Sequence, residues 1–297
     1  MIVDFEHHYI PAELGRRLGM DPTRKEAVKT RDATVHAQLF DLEAQLRDLD
    51  RVGIDVAVQS CILGWDTTLE NCRLINDCTA AAQQQYRGRF VGLAHAPILE
   101  EDGLRELERA IDELGLKGIT ISSQVNGLPL DAREFVTFYE LMRRLRVPIF
   151  VHPALAPKGY SLMNDYQLPV ILTREFDLGL AVTRLIAGGV IERYPELDFV
   201  FAHFGGGLAG YRERVARSAR IASSYLSGSR ITSIGFTSTW QGSKAVQSRC
   251  AARSRASAPK EWYLRPTIRR ISITAIRNRA RASMVLDCTS NKLRSCR

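Results

Sequence analysis

Over residues 1–225, short apolar runs rich in β-branched residues alternate with stretches of helical period. The runs are Ile2–His8, Val56–Cys61, Phe90–Pro97, Gly118–Ser123, Pro148–His152 and Phe199–His203. Between them, Leu39, Leu42, Leu46 and Leu49 share one helical face. So do Leu104, Leu107, Ile111 and Leu114, with Gly115 following as a C-terminal cap. Phe135, Phe138, Met142 and Leu145 form a third stripe, stopped by Pro148. Strands joined through helical crossovers must pair in parallel. Six such units with polar residues at the strand ends predict an α/β fold of the (β/α)8 TIM-barrel type. No G-x-G-x-x-G follows the first run, which argues against a dinucleotide-binding sheet. The seventh and eighth units would have to come from residues 226–297. There the pattern fails, so strands 7 and 8 are expected to be degraded or missing.

Charge marks the same boundary. Residues 226–297 hold 15 Lys and Arg against 2 Asp and Glu, whereas residues 1–225 hold 26 against 31. Serine rises from 7 in residues 1–225 to 12 in the shorter remainder. Two regions are therefore expected: a barrel-forming part over 1–225, and a basic Arg/Ser-rich tail over 226–297, out of frame or disordered. A basic segment can bind a phosphate backbone, but this one carries few aromatics for base stacking, and nucleic acid is not the expected partner. Out-of-frame translation of a GC-rich gene accounts better for the gain of Arg, Ser and Cys. In the shifted frame, Pro266–Ile271 permits Asp-Tyr-Pro-Pro-His and Trp240-Gln241-Gly242 permits Ala-Gly, and the shift is expected at or before about residue 236. No apolar run reaches the ~18 residues that span a bilayer. The first residues show no basic n-region and no h-region. Six cysteines without regular spacing suggest no disulfide framework. The expected location is the cytoplasm. A homo-oligomer is compatible with the sequence, which sets no subunit count.

The chemistry concentrates at strand ends. Strand alternation puts Asp4, Glu6 and His8 on one face and Phe5 and His7 on the other. Glu6 and His8 then aim into the barrel mouth, and His7 points away. A polar strand end satisfied by hydrogen bonds would look the same in isolation. Two further histidines change the weighting: His152 ends the fifth run in PIFVHP, and His203 ends the sixth in DFVFAHFGGG. In a closed barrel Glu6, His8 and His152 can converge on one ion. A carboxylate with two imidazoles suits Zn²⁺, Mn²⁺ or Fe²⁺. His95 reads as a pocket-wall residue and His36 as a surface or capping residue. Residues Ala154–Thr173 read as a loop that shapes a pocket.

Asp4-Phe5-Glu6-His7-His8 with Pro11 after it, His152-Pro153, and Ala202-His203-Phe204-Gly205-Gly206 together resemble the amidohydrolase superfamily. The likeness is to its amidohydrolase-related branch, which holds aminocarboxymuconate-semialdehyde and γ-resorcylate-type decarboxylases. Glu at position 6 is similar to the resorcylate side. The resemblance covers residues 1–225. It implies that Glu6, His8 and His152 ligate one divalent metal, Zn²⁺ or Mn²⁺, and that His203 is the catalytic acid/base. It implies a small carboxylic acid as substrate and non-oxidative decarboxylation of a hydroxyaromatic or muconate-type acid. Hydrolysis of a lactone or amide at the same site is the alternative within enzymes. A non-catalytic protein with a basic binding tail is the alternative outside them. The family carries one more ligand, an Asp in G-[ST]-D-[YFW]-P at the end of strand 8. The corresponding window here, Tyr263–Ser272, reads YLRPTIRRIS and has no acid; Asp287 is the only later Asp. Weak metal binding and low activity are the expected consequences.

Overall fold

The six apolar runs become six parallel strands in the structure, a computed structural model that describes residues 2–23, 28–29, 34–35, 37–208 and 231–233. They are β1 (Val3–His8), β2 (Val56–Ser60), β3 (Phe90–Ala94), β4 (Gly118–Ser122), β5 (Ile149–His152) and β6 (Phe199–Phe201). A seventh, β7 (Ile231–Ser233), pairs in parallel with β6. The sheet order is sequential, β1 to β7. The sequence offered no coherent strand beyond residue 225, so β7 is an addition; the region of strand 8 lies outside the described residues.

Five helices supply the crossovers: α1 (Leu42–Val52), α2 (Leu69–Gln85), α3 (Glu101–Asp112), α4 (Val136–Leu145) and α5 (Arg174–Ala187). Asp41 starts α1, its carboxylate accepting the Ala44 N–H at 2.9 Å, and left-handed Gly53 ends it. That cap divides the leucine stripe. Leu42, Leu46 and Leu49 pack with Ala57 and Phe90, while Leu39 falls in the preceding turn and packs near Ile10 and Leu14. Thr68 caps α2 in the same way, through the Asn71 N–H at 3.3 Å. The α3 and α4 stripes hold, with Leu107, Ile111, Phe138 and Met142 buried, while Phe135, also buried, falls in the turn just before α4. Gly115 takes φ +73°, and Arg146 leaves α4 in the same left-handed region.

β2, β4 and β5 are buried at every residue. A parallel strand covered by helices on one face and by the barrel interior on the other must read this way. The sheet is strongly curled. Six flat strands at about 4.8 Å spacing would separate β1 from β6 by roughly 24 Å. Instead, Glu6 Oε1 on β1 lies 2.5 Å from Nε2 of His203, two residues past β6.

The chain divides into two units, Met1–Phe236 and Thr237–Arg297, and every described residue lies in the first. The composition change at residue 226 and the proposed shift of frame fall outside the described residues, as does His36. Among the described residues no helix is long and apolar enough to cross a membrane.

Candidate active site

β1 does not keep its period to the end. Its register against β2 slips between Asp4 and His7. A bulge re-aims the side chains that follow it. Asp4, expected to share a face with His8, instead meets the ring expected on the other face: Asp4 Oδ2 lies 3.0 Å from His7 Nδ1. The other Asp4 oxygen accepts the Glu6 N–H at 3.1 Å. His7 leans toward α1, where its Nε2 is 3.1 Å from Gln45 Oε1. It points away from the barrel interior, as predicted. Glu6 is buried and points inward.

At the C-terminal ends of β1, β5 and β6, Glu6, His152 and His203 gather. Each offers one ligand atom, and these atoms lie within 4.8 Å of one another. Glu6 Oε1 is 2.5 Å from His203 Nε2 and 3.8 Å from His152 Nε2. His152 Nδ1 donates to the Pro153 carbonyl at 2.8 Å, which fixes the tautomer and turns the Nε2 lone pair toward Glu6. His8, expected in this group, stands one ring away. Its centroid is 5.3 Å from that of His152, and its Nδ1 is held 3.0 Å from Ser60 Oγ on β2. The three residues brought closest together are thus Glu6, His152 and His203, two of the three sequence-predicted ligands plus the predicted acid/base.

Burial divides the rings into two kinds. It pushes His8 down to about 4, helped by the neighbouring His7 and His203. Burial, then His8 and His203, also holds His152 well below the usual imidazole range. Burial opposes a charge on His203 too, but hydrogen bonds to Glu175 and Glu6 outweigh it and raise the ring to about 9. At neutral pH the site therefore holds two neutral imidazoles and one ring that keeps its proton.

Three contributors were not read from the sequence. Trp65, in the loop after β2, stacks on His152 at 4.2 Å and 15° and meets His8 edge-on. Its indole N–H donates to Thr120 Oγ1 at 3.3 Å. Glu175, in the first turn of α5, bonds His203 Nδ1. Asp177, two residues on and buried, accepts from Ser123 Oγ, from Gln124 Nε2 at 2.6 Å and from Tyr160 OH at 3.2 Å. Tyr160 lies in the 154–173 segment, expected as a pocket-shaping loop and here interrupted by short helical turns at Ser161–Met163 and Pro169–Thr173. Arg174 ties the same segment down through the Leu155 carbonyl at 2.9 Å. Aromatic Gly-Trp-Asp after a strand was the available signal for Trp65; no periodicity marks Glu175 or Asp177. His95 is a wall residue, as expected: its Nε2 accepts the Cys61 N–H at 2.9 Å, and its ring lies 5.7 Å from Trp65.

A family model described as amidohydrolase matches residues 3–279, well past residue 225 where the motif resemblance stops. The 2-amino-3-carboxymuconate-6-semialdehyde decarboxylase of Dictyostelium discoideum is 32% identical over 180 residues, covering 58% of this chain and 50% of that protein. The γ-resorcylate decarboxylase of Polaromonas sp. is 29% identical over 192 residues, 59% of each. The chain thus matches between half and three-fifths of the length of these curated relatives. Among solved structures, 5-carboxyvanillate decarboxylase from Novosphingobium aromaticivorans, complexed with manganese and 4-hydroxy-3-methoxy-5-nitrobenzoic acid, is 27% identical. It aligns with a TM-score of 0.61 over 74% of this chain and 72% of that one.

Proposed function

Because the chain belongs to the amidohydrolase family, whose model matches residues 3–279, we propose that it is a metal-dependent, non-oxidative decarboxylase of a hydroxyaromatic or muconate-type carboxylic acid. The observation that carries this reading is the gathering of Glu6, His152 and His203 at the C-terminal strand ends. The names of the relatives, decarboxylases of such acids, supply the substrate class.

The residues fit a divalent cation. Glu6 is a buried carboxylate, and His152 presents a bare Nε2 beside it because its Nδ1 is already bonded. His8 is a second neutral ring adjoining the first. Glu6, His8 and His152 would hold the ion. Either Zn²⁺ or Mn²⁺ suits this donor set, and manganese is bound in the solved relative. When bound, the ion supplies Lewis acidity to a substrate oxygen.

The proton belongs to His203. Its ring is charged at neutral pH, so it can donate to the ring carbon of the substrate as the C–C bond to the carboxylate breaks. The electron pair of that bond stays on the carbon and takes the proton, and CO₂ leaves. Trp65 and His95 wall the site and limit water. The tail over 226–297 is the weak point of the chain. With no acid in Tyr263–Ser272, metal affinity and turnover are expected to be low in this chain and higher in one whose reading frame is restored upstream of residue 236.

The test is product analysis at saturating Mn²⁺, on this chain and on the restored-frame chain. The substrates are 2,6-dihydroxybenzoate, 5-carboxyvanillate and 2-amino-3-carboxymuconate-6-semialdehyde. One CO₂ released per acid consumed is the expected result. Metal-dependent ring opening of a lactone without CO₂ would make the enzyme a hydrolase. No metal-dependent turnover in either chain would overturn the reading altogether.

A further inference from the structure

We propose that Glu175 is the positioning residue of His203: its carboxylate accepts the Nδ1–H and fixes which face of the imidazole meets the Glu6–His152 cluster. The role in turnover rests on the decarboxylase reading; the hydrogen bond does not. His203 is held at both ring nitrogens, Nδ1 by Glu175 and Nε2 by Glu6 Oε1 at 2.5 Å. A ring bonded at one nitrogen can still swing about its side-chain torsions. A ring bonded at both has one orientation, and with a carboxylate on each side both nitrogens donate. The proton it transfers is then the Nε2 proton, on the atom facing the cluster.

The chain goes to unusual lengths to bring these two residues together. From His203 to Gly207 five consecutive residues have positive φ, between +47° and +76°. For the non-glycine residues His203 and Phe204 this region is sparsely populated and is kept only where the surroundings impose it. What imposes it is the first turn of α5. A Cβ on Gly206 would lie 2.0 Å from the carbonyl oxygen of Glu175 itself and 2.5 Å from the Gly179 nitrogen. Only glycine lets the β6 turn lie backbone to backbone on α5 at that point. α5 is itself tied down. Buried Asp177 fastens α5 to Ser123 and Gln124 beyond β4 and to Tyr160 of the covering segment. Glu175 thus stands on a fixed backbone, 28 residues from its partner in sequence and in contact with it in space. Glu175 is outside the group of converging ligand atoms, so its geometry is that of an orienting group.

The experiment is NMR on the full-length chain with ¹⁵N-labelled histidine, metal-free and Zn²⁺-loaded, combined with steady-state kinetics. A strongly hydrogen-bonded Nδ1 proton of His203 is expected far downfield, identified by its loss in His203→Gln. Glu175→Gln should abolish that signal, leave Zn²⁺ affinity within about threefold, and lower kcat about 100-fold with KM within about twofold. Gly206→Ala should abolish it too, although both side chains remain. An unchanged signal in Glu175→Gln overturns the proposal. So does loss of Zn²⁺ binding in that variant, which would make Glu175 a ligand. Should the wild-type chain turn over no carboxylic acid, the decarboxylase reading falls by itself, and the signal with its loss in Glu175→Gln still decides the orientation. Thermal unfolding of each variant separates loss of the contact from loss of the fold.

Discussion

The end of β1 and the end of β6 deliver side chains to the same cluster by different physical routes. At β1 the means are local. An apolar strand ends in Glu6 and His8, a neighbouring strand offers Ser60, and a one-residue slip settles which rings face inward. At β6 the means are tertiary. His203 is placed by a left-handed turn, by glycines that admit α5, and by a carboxylate from that helix. The first kind of placement is written in a few adjacent residues. The second is divided among three segments and becomes visible only when they meet.

If the β1 side holds the metal and the β6 side holds the proton, substitutions on the two sides should fail differently. His203→Ala is expected to lower the rate of CO₂ release about 10³-fold at saturating Mn²⁺ while leaving Mn²⁺ affinity within about tenfold. A calorimetric titration alongside the rate assay checks both halves. His8→Ala is expected to weaken Mn²⁺ by about 100-fold, or roughly 2.7 kcal/mol. If His203→Ala loses the metal and His8→Ala does not, the ligand set is the trio the structure draws closest, and the proton must come from elsewhere.

The rings also differ in their response to pH, because burial has made them unlike. His95 is pushed from 6.5 down to about 3 by burial. The unfolded chain therefore binds a proton below pH 6.5 that the folded chain refuses. Stability supplied by neutral His95 is present above 6.5 and falls as pH drops toward 3. Between pH 6.5 and 5, urea unfolding of the metal-free protein should show a loss of about 2 kcal/mol from this ring alone. His95→Gln should be that much less sensitive. Equal pH dependence in the two proteins would mean that the ring is protonated in place. The smallest expected effect lies farthest from the cluster. Asp41→Ala removes the cap of α1 and should cost about 1 kcal/mol in the same unfolding assay without changing metal affinity.

The legibility of the fold follows the same division. Six strands and the α3 and α4 stripes were readable because a parallel strand must be apolar on both faces and a covering helix on one. Strand ends carrying Glu6, His152 and His203 stood out because charge there has no place in a core. Asp4 was misplaced because alternation assumes an unbroken ladder, and nothing in Asp4–His8 announces the slip. Leu39 was assigned to α1 because its period matches, while Asp41 caps the helix two residues later. Trp65 could have been found as a lone aromatic just past a strand end. Glu175 could not: its segment has no clear period, and its partner is set by how closely Gly206 lets two backbones approach. β7 was missed because three residues inside a basic stretch give no pattern to read.

The most direct measurement is Mn²⁺ binding to the full-length chain, followed by the loss of the free-ion electron paramagnetic resonance signal, in wild type and in Glu6→Gln. Glu6 and His152 are common to the sequence-predicted ligand set and to the group the structure assembles, and Glu6 is the carboxylate of the two. At a Mn²⁺ concentration high enough to overcome the weak affinity expected of this chain, wild type should bind one Mn²⁺ per chain and Glu6→Gln none. Equal binding in the two proteins would contradict it, and would move the metal, and with it the chemistry, away from the end of β1.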